Sequence, residues 1–260
     1  MLRAIVLALF AAVATSGQSV SHAQDLRFVT LDFSPFIYGE GGEVAGPGRD
    51  VIAAACDEAG LQCSYDIFPW RRAQELMKDG AADGMMVIGR NAGREEWLDF
   101  SPPLFRTEYG FFVGGGDPMT FRDLSQIQGY RVGVFAPSNT AVQLEALRDR
   151  MIETGLKPFE VDPRPDDVSG FRKLAVGRID AVYSNRDRGQ DILAKNGLTD
   201  AVRYAGADKG ILYYAAIRQS FPEPDIPARF FAGLRAVFES GTASGIIREY
   251  GLEPPPPDPS

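Results

Sequence analysis

The sequence predicts an α/β protein of two lobes, each a mostly parallel sheet covered by helices, joined by two crossings. Three observations carry this. Short apolar strands alternate with amphipathic helices, the rhythm of a parallel sheet covered on its faces. The alternation runs through twice, with a break at "GGGDP". Two strongly apolar segments, "EYGFFVGG" and "GILYYAAIRQ", flank the second series as connectors.

In order, "DLRFVTLDF" reads as a strand, "RDVIAAACDEAGL" as a helix, "QCSYDIF" as a strand, "WRRAQELMKDG" as a helix and "DGMMVIG" as a buried strand. Val51, Ile52, Ala55, Cys56 and Ala59 fall on one helical face, and Gly60 follows as a C-cap. The second series begins with "YRVGVFA" as a strand, "NTAVQLEALRDRMIETG" as a helix, with Asn139 or Thr140 as its N-cap, and "KPFEVDP" as a strand. It continues with "SGFRKLAVGR" as a helix, "IDAVYSN" as a strand and "RGQDILAKNG" as a helix. The last portion holds two helices broken near Gly241, and the "EPPPPDPS" tail is expected to be extended or disordered, since proline neither continues a helix nor fits a central strand. The resulting division is a signal segment 1–23, lobe one from 24–109 with 213–260, and lobe two from 110–212.

The N-terminus sets the compartment. Arg3 is followed by an apolar run to about Ala14 and by Ser21-His22-Ala23, the layout of a secretory signal cut after Ala23. About 237 of the 260 residues remain, and loss of Arg3 takes the net charge from −8 to about −9. No Lys/Arg block stands out, so neither nucleic-acid binding nor polybasic membrane attachment is expected. Outside the cytoplasm the only two cysteines, Cys56 and Cys63, are most simply a disulfide. A zinc site wants four ligands, usually at tighter spacing, and the single histidine, His22, lies in the segment to be discarded. A redox site would more usually read Cys-x-x-Cys. No cofactor or metal is expected. The glycines of "GEGGEVAGPG" lack the dinucleotide fingerprint, and the stretch reads as a flexible loop at a cleft edge.

Several longer patterns are similar to those of family 3 extracellular solute-binding proteins. "PWRRAQELMKDGAADGMMV" followed by "REEWLDFSPPLFRTEYGFFV" resembles the family's lobe-one signature, with an arginine six residues before Phe-Ser-x-Pro. "GYRVGVFAPSNT" resembles its entry to lobe two, and "LAVGRIDAVYSN" and "FFAGLRAVFESGTASGIIREYGL" its later landmarks. The resemblance implies a type II periplasmic binding protein fold and a monomeric receptor that hands a small molecule to the permease of an ABC transporter. It places the Cys56–Cys63 pair on the first lobe.

It also implies a ligand set. Arg94 matches the arginine that holds a ligand carboxylate, a task suited to a charged, two-pronged guanidinium. Trp70 and Phe33 match aromatic positions against the ligand. Thr140 matches a threonine donor at a helix start, with Asn139 beside it. Arg90 lies where the family usually has small hydroxyl residues. Asn185 stands where α-amino-acid receptors commonly carry an aspartate for the ligand ammonium, so the amine half of such a site is absent and an ordinary α-amino acid is in question. Other readings of these residues are a surface arginine at position 94, core aromatics at 33 and 70, and a plain helix cap at 138–140. Two other functions compete: an enzyme on this scaffold, with Asp32 or Asp208 as candidate acid, and a sensor or partner protein without solute binding.

Overall fold

A computed structural model of the chain describes residues 25–256; the signal segment 1–23 therefore lies outside the described residues. The first series forms β1 (Leu26–Thr30), a β2–β3 hairpin (Tyr38–Glu40 and Glu43–Ala45), α1 (Pro47–Ala59), β4 (Cys63–Ile67), α2 (Trp70–Lys78) and β5 (Gly84–Gly89). β1 lies parallel to both β4 and β5. Val51, Ile52, Ala55 and Cys56 of α1 are buried, and Gly60 ends the helix in the left-handed conformation at φ 63°, which costs a residue without Cβ little. α1 packs against α7 (Asp225–Glu239) and α8 (Thr242–Glu249), which return from the C-terminal end and are separated at Gly241. The second series forms β7 (Arg131–Phe135), α4 (Asn139–Glu153), β8 (Glu160–Arg164), α5 (Asp167–Ala175), β9 (Ala181–Asn185) and α6 (Arg186–Lys195), with β7 parallel to β8 and β9.

The connectors are longer than the sequence suggests. β6 (Leu98–Gly114) and β10 (Val202–Arg218) are each 17 residues and pair with each other antiparallel along their length. Hydrogen bonding is thereby continuous through eight strands in the order β4-β1-β5-β10-β6-β9-β7-β8. The two series nevertheless attach to different parts of this pair. β5 pairs with β10 from Tyr213 to Ile217, whereas β9 pairs with β6 from Tyr109 to Val113. Between those attachments, at Thr107–Glu108 and Gly210–Ile211, the two long strands pair only with each other among the described residues, while Arg106 also bridges to Glu253. The stretches "PPLFR" and "RYAGADK" lack a clean period-2 apolar pattern, which hides these strand halves from the sequence.

Two further differences are local. "GEGGEV" closes a two-residue hairpin with Gly41 at φ 61° and Gly42 at φ 90°, the primed-turn geometry that matches strand twist, so it is an ordered hairpin rather than an irregular loop. The tail runs extended over its described part: the Arg106 N–H donates to the Glu253 carbonyl at 3.0 Å, and Leu252 is buried.

Cys56 and Cys63 are joined, with Cα atoms 6.3 Å apart, tying the inner face of α1 to the start of β4. Among the described residues no cluster of His, Cys, Asp and Glu is arranged to hold a metal ion. Replacing both cysteines by alanine is expected to lower the unfolding free energy by about 2–3 kcal/mol, the loop-entropy value for so short a loop. The check is a denaturant titration with a reduced midpoint and an unchanged slope; an unchanged midpoint would show that the bond carries no stability.

Candidate functional site

A cleft opens where β1, β5 and β7 end and α4 begins, at the carboxyl ends of the parallel strands. Open α/β sheets bind ligands there because backbone groups and helix N-termini converge. The free volume between its walls is about 50 Å³. One wall carries Leu31 and Phe33 beyond β1, Trp70 at the start of α2, and Val87, Ile88 and Gly89 at the end of β5. Opposite stand Phe135 at the end of β7 and Ser138, Asn139 and Thr140 at the start of α4, with Tyr109 and Tyr213 of the long strands at the base.

Arg94 is the one charged residue among these lining groups. It is placed by a short helix the sequence did not announce, α3 (Ala92–Glu95), whose N-cap Asn91 accepts a hydrogen bond from the Arg94 N–H at 3.0 Å. The guanidinium stacks 5.3 Å from the Trp70 ring centroid and donates from Nη1 to the Gly89 carbonyl at 2.5 Å. No carboxylate of the described residues lies within ion-pair distance of it. Burial pushes its pKa down from the usual arginine range, and Tyr109 and Tyr213 oppose that; an arginine starting so high stays charged. The result is a half-buried, unpaired cation, a costly arrangement unless an anion completes it.

β5 brings the wall into position through a bulge. The register with β10 slips between Tyr214, opposite Ile88, and Ala215, opposite Met86, leaving Val87 unpaired at φ 58°. A β-branched residue held in the left-handed region stores about 1–3 kcal/mol. The bulge re-aims Ile88, Gly89 and the following Arg90. Gly89 lies against the other wall, where a Cβ would stand 2.6 Å from Asn139 Nδ2.

The α4 end differs from the sequence expectation in one respect. Ser138, rather than Asn139 or Thr140, is the N-cap, its Oγ accepting from the Ala141 N–H at 3.0 Å. Asn139 and Thr140 therefore occupy the first helical turn, and their own N–H groups have no protein acceptor among the described residues, the usual condition of a helix start facing an anion. Asn139 also spans the cleft: its Oδ1 accepts from Asn91 Nδ2 at 3.0 Å, and its Nδ2 donates to the Tyr109 hydroxyl at 3.4 Å.

A model of bacterial extracellular solute-binding proteins, family 3, matches residues 26–253. The chain belongs to that family. It is an exported, periplasmic solute receptor rather than an enzyme. The receptor's fold is shared by a histidine kinase sensor domain with similarity to periplasmic binding proteins, at 21% identity and TM-score 0.77, covering 90% of this chain and 99% of that one. It is shared equally by an ancestral arginine-binding protein bound to arginine, at 20% identity and TM-score 0.74, covering 88% and 99%. A third is the structure that describes glutathione import via GshT and the cystine ABC importer of Streptococcus mutans, at 16% identity and TM-score 0.76, covering 89% and 96%. No curated protein matches in sequence.

Of the residues singled out in the receptor's sequence, Arg94, Trp70, Phe33, Asn139 and Thr140 meet at the cleft. Arg90 and Asn185 do not line it. Arg90 points into an adjoining groove, paired with Glu95 and 5.7 Å from the Phe100 ring. Asn185 is buried behind Tyr213: it caps α6 by accepting from the Arg188 N–H at 2.9 Å and donates to Thr107 Oγ1 at 2.9 Å and the Tyr213 hydroxyl at 3.3 Å. Its amide is committed to the fold. Burial pushes the Tyr213 phenol well above its usual range, so it stays protonated.

The sequence also left out Arg188, which lies across the lobes. It sits 3.4 Å from Asp167 and 3.8 Å from Asp32, donates to the Ser34 carbonyl at 3.2 Å and covers the Phe33 ring at 5.6 Å. Nearby, Lys195 donates to Ser34 Oγ at 2.5 Å. Nothing in "SNRDRGQ" distinguishes Arg188 from a solvated helix residue, because its partners are more than 150 positions away for Ser34.

Proposed function

We propose that the receptor captures a small carboxylate-bearing solute between its lobes, Arg94 holding the carboxylate, and delivers it as a monomer to the membrane permease of an ABC transporter. The observation that carries the reading is the unpaired Arg94 guanidinium in a cleft whose lining residues include no carboxylate. Trp70 and Phe33 supply apolar faces for the body of the solute, and Thr140 with the first amides of α4 supplies donors from the other side. An ammonium group in this cleft would find only neutral acceptors and a neighbouring cation. A desolvated ammonium without a compensating charge is costly, so amine-free carboxylates are favoured over the corresponding amino acids.

Lobe one comprises residues 24–109 with 213–260 and lobe two 110–212. Support comes from the short span at Thr107–Glu108 and Gly210–Ile211 where, among the described residues, the long strands pair only with each other. Bending there would move the walls apart, the usual hinge for a binder of this kind. Arg188 and Lys195 fasten the shut form from the lobe-two side, and the permease would read the closed shape.

A thermal-shift screen of the purified protein against amino acids, amine-free carboxylates, dicarboxylates, aromatic acids and polyamines tests the reading, since a ligand of the folded, closed form must raise stability. Carboxylates are expected to raise Tm, with amine-free members ahead of their amino-acid counterparts. Stabilisation by polyamines alone would overturn it.

A further inference from the structure

A second groove of about 390 Å³ adjoins the cleft and shares Gly89 and Asn139 with it. Among the described residues its charged lining groups are Arg90, Arg106 and Lys209, and none of the described lining groups is a carboxylate. Arg106 and Lys209 come from β6 and β10 three register positions apart, Arg106 facing Leu212 and Lys209 facing Tyr109. Their charges are incompletely met: Arg106 lies 4.0 Å from a half-exposed Glu253, and Lys209 Nζ donates only to the neutral Gln143 Oε1 at 3.0 Å. Arg90 alone has a close carboxylate, Glu95. Three cations gathered on the rim of a low-dielectric cleft focus a positive potential into it. With Arg94 just beyond Gly89, positive charge stands on both sides of the Gly89–Asn139 contact that separates the groove from the cleft.

We propose that the groove is the subsite for a second anionic group of the solute, so that the ligand is an elongated dianion with one carboxylate on Arg94 and the other anionic group among Arg90, Arg106 and Lys209. This rests on the reading of the cleft as a carboxylate site. It adds that the anchoring charge is divided between the two compartments. The groove lies against the span that links the lobes, so a ligand filling both would be held across that span when the cleft shuts. Carboxylate and phosphonate ends share the chemistry that the groove recognises, and the test separates them.

Calorimetric titration of the full exported chain with glutarate against pentanoate, and adipate against hexanoate, compares di- and monocarboxylates of equal length; 3-phosphonopropanoate is the phosphonate arm. At least one dianion is expected to bind at least about tenfold more tightly than its monoanion. Joint replacement Arg106→Gln and Lys209→Gln should abolish that advantage while changing monocarboxylate affinity by less than about threefold. Raising salt from about 50 mM to about 500 mM should weaken the dianion more than the monoanion, since rim charges are screened first. Equal binding of mono- and dianions, both lost in Arg94→Ala, would overturn the second subsite and leave the carboxylate receptor standing. A dianion preference unchanged in the double variant would overturn the placement in this groove. If no carboxylate binds the unaltered protein, the subsite and the reading beneath it fall together.

Discussion

Arg94→Ala is expected to weaken binding of the receptor's carboxylate solute by at least about thirtyfold, because a buried, charge-assisted contact of this kind costs about 2–5 kcal/mol when one partner is removed. The ligand-free protein should respond in the opposite sense. Arg94 has no ion-pair partner among the described residues, and burial already depresses its pKa, so its removal relieves a desolvated charge and sacrifices one bond to the Gly89 carbonyl and the stacking on Trp70. Unliganded stability is therefore expected to stay within about 1 kcal/mol of the original or to rise. Arg94→Lys keeps the charge but loses the two-pronged donor and the planar stack, and should recover only part of the affinity. Titration calorimetry beside thermal melts reads both quantities. Carboxylate binding that survives Arg94→Ala would show that another group is the anchor.

Arg188→Ala carries the second large effect. Its side chain and that of Asp167 are only 13% and 10% exposed, so removing one leaves a buried charge without its partner, a loss of about 3–5 kcal/mol in the closed form. Asp32, 55% exposed, adds little to that figure. Opening the hinge would hydrate Asp167, so the variant is expected to open before it unfolds, seen as a larger radius of gyration in solution scattering and a faster solute off-rate. The pH dependence has a definite sign. Burial holds the Asp167 carboxyl above the ordinary aspartate range, with Asp166 adding to the rise and Arg188 pulling against it. A carboxyl raised in the folded state favours folding in its protonated form, so its contribution is fully present below the unfolded value of about 3.9 and is lost as pH rises through the folded value. Without Arg188 the folded value rises further. The deficit of the variant should thus be largest near neutrality and shrink as pH falls. Adding Asp167→Asn should recover much of the loss; a double variant as unstable as Arg188→Ala would sink the account.

Strand and helix order and the Cys56–Cys63 bond were legible in the sequence because each rests on local chemistry. A 2.0 or 3.6 residue period, a glycine after the last helical turn, and two cysteines in an exported chain are read within a few positions of one another. Arg94, Trp70, Phe33, Asn139 and Thr140, which the family resemblance put forward, line one cleft at the carboxyl ends of the strands. What the sequence could not decide is set by long-range register. Whether Asn185 faces solute or core depends on Thr107 and Tyr213, 78 and 28 positions away. The bulge at Val87 exists only because Tyr214 and Ala215 pair across it. Arg188 acquires its meaning from Asp32 and Ser34 in the other lobe. A side chain's propensity belongs to its own residue, whereas its burial and its partners belong to the pairing of distant strands, and only the folded chain fixes that pairing.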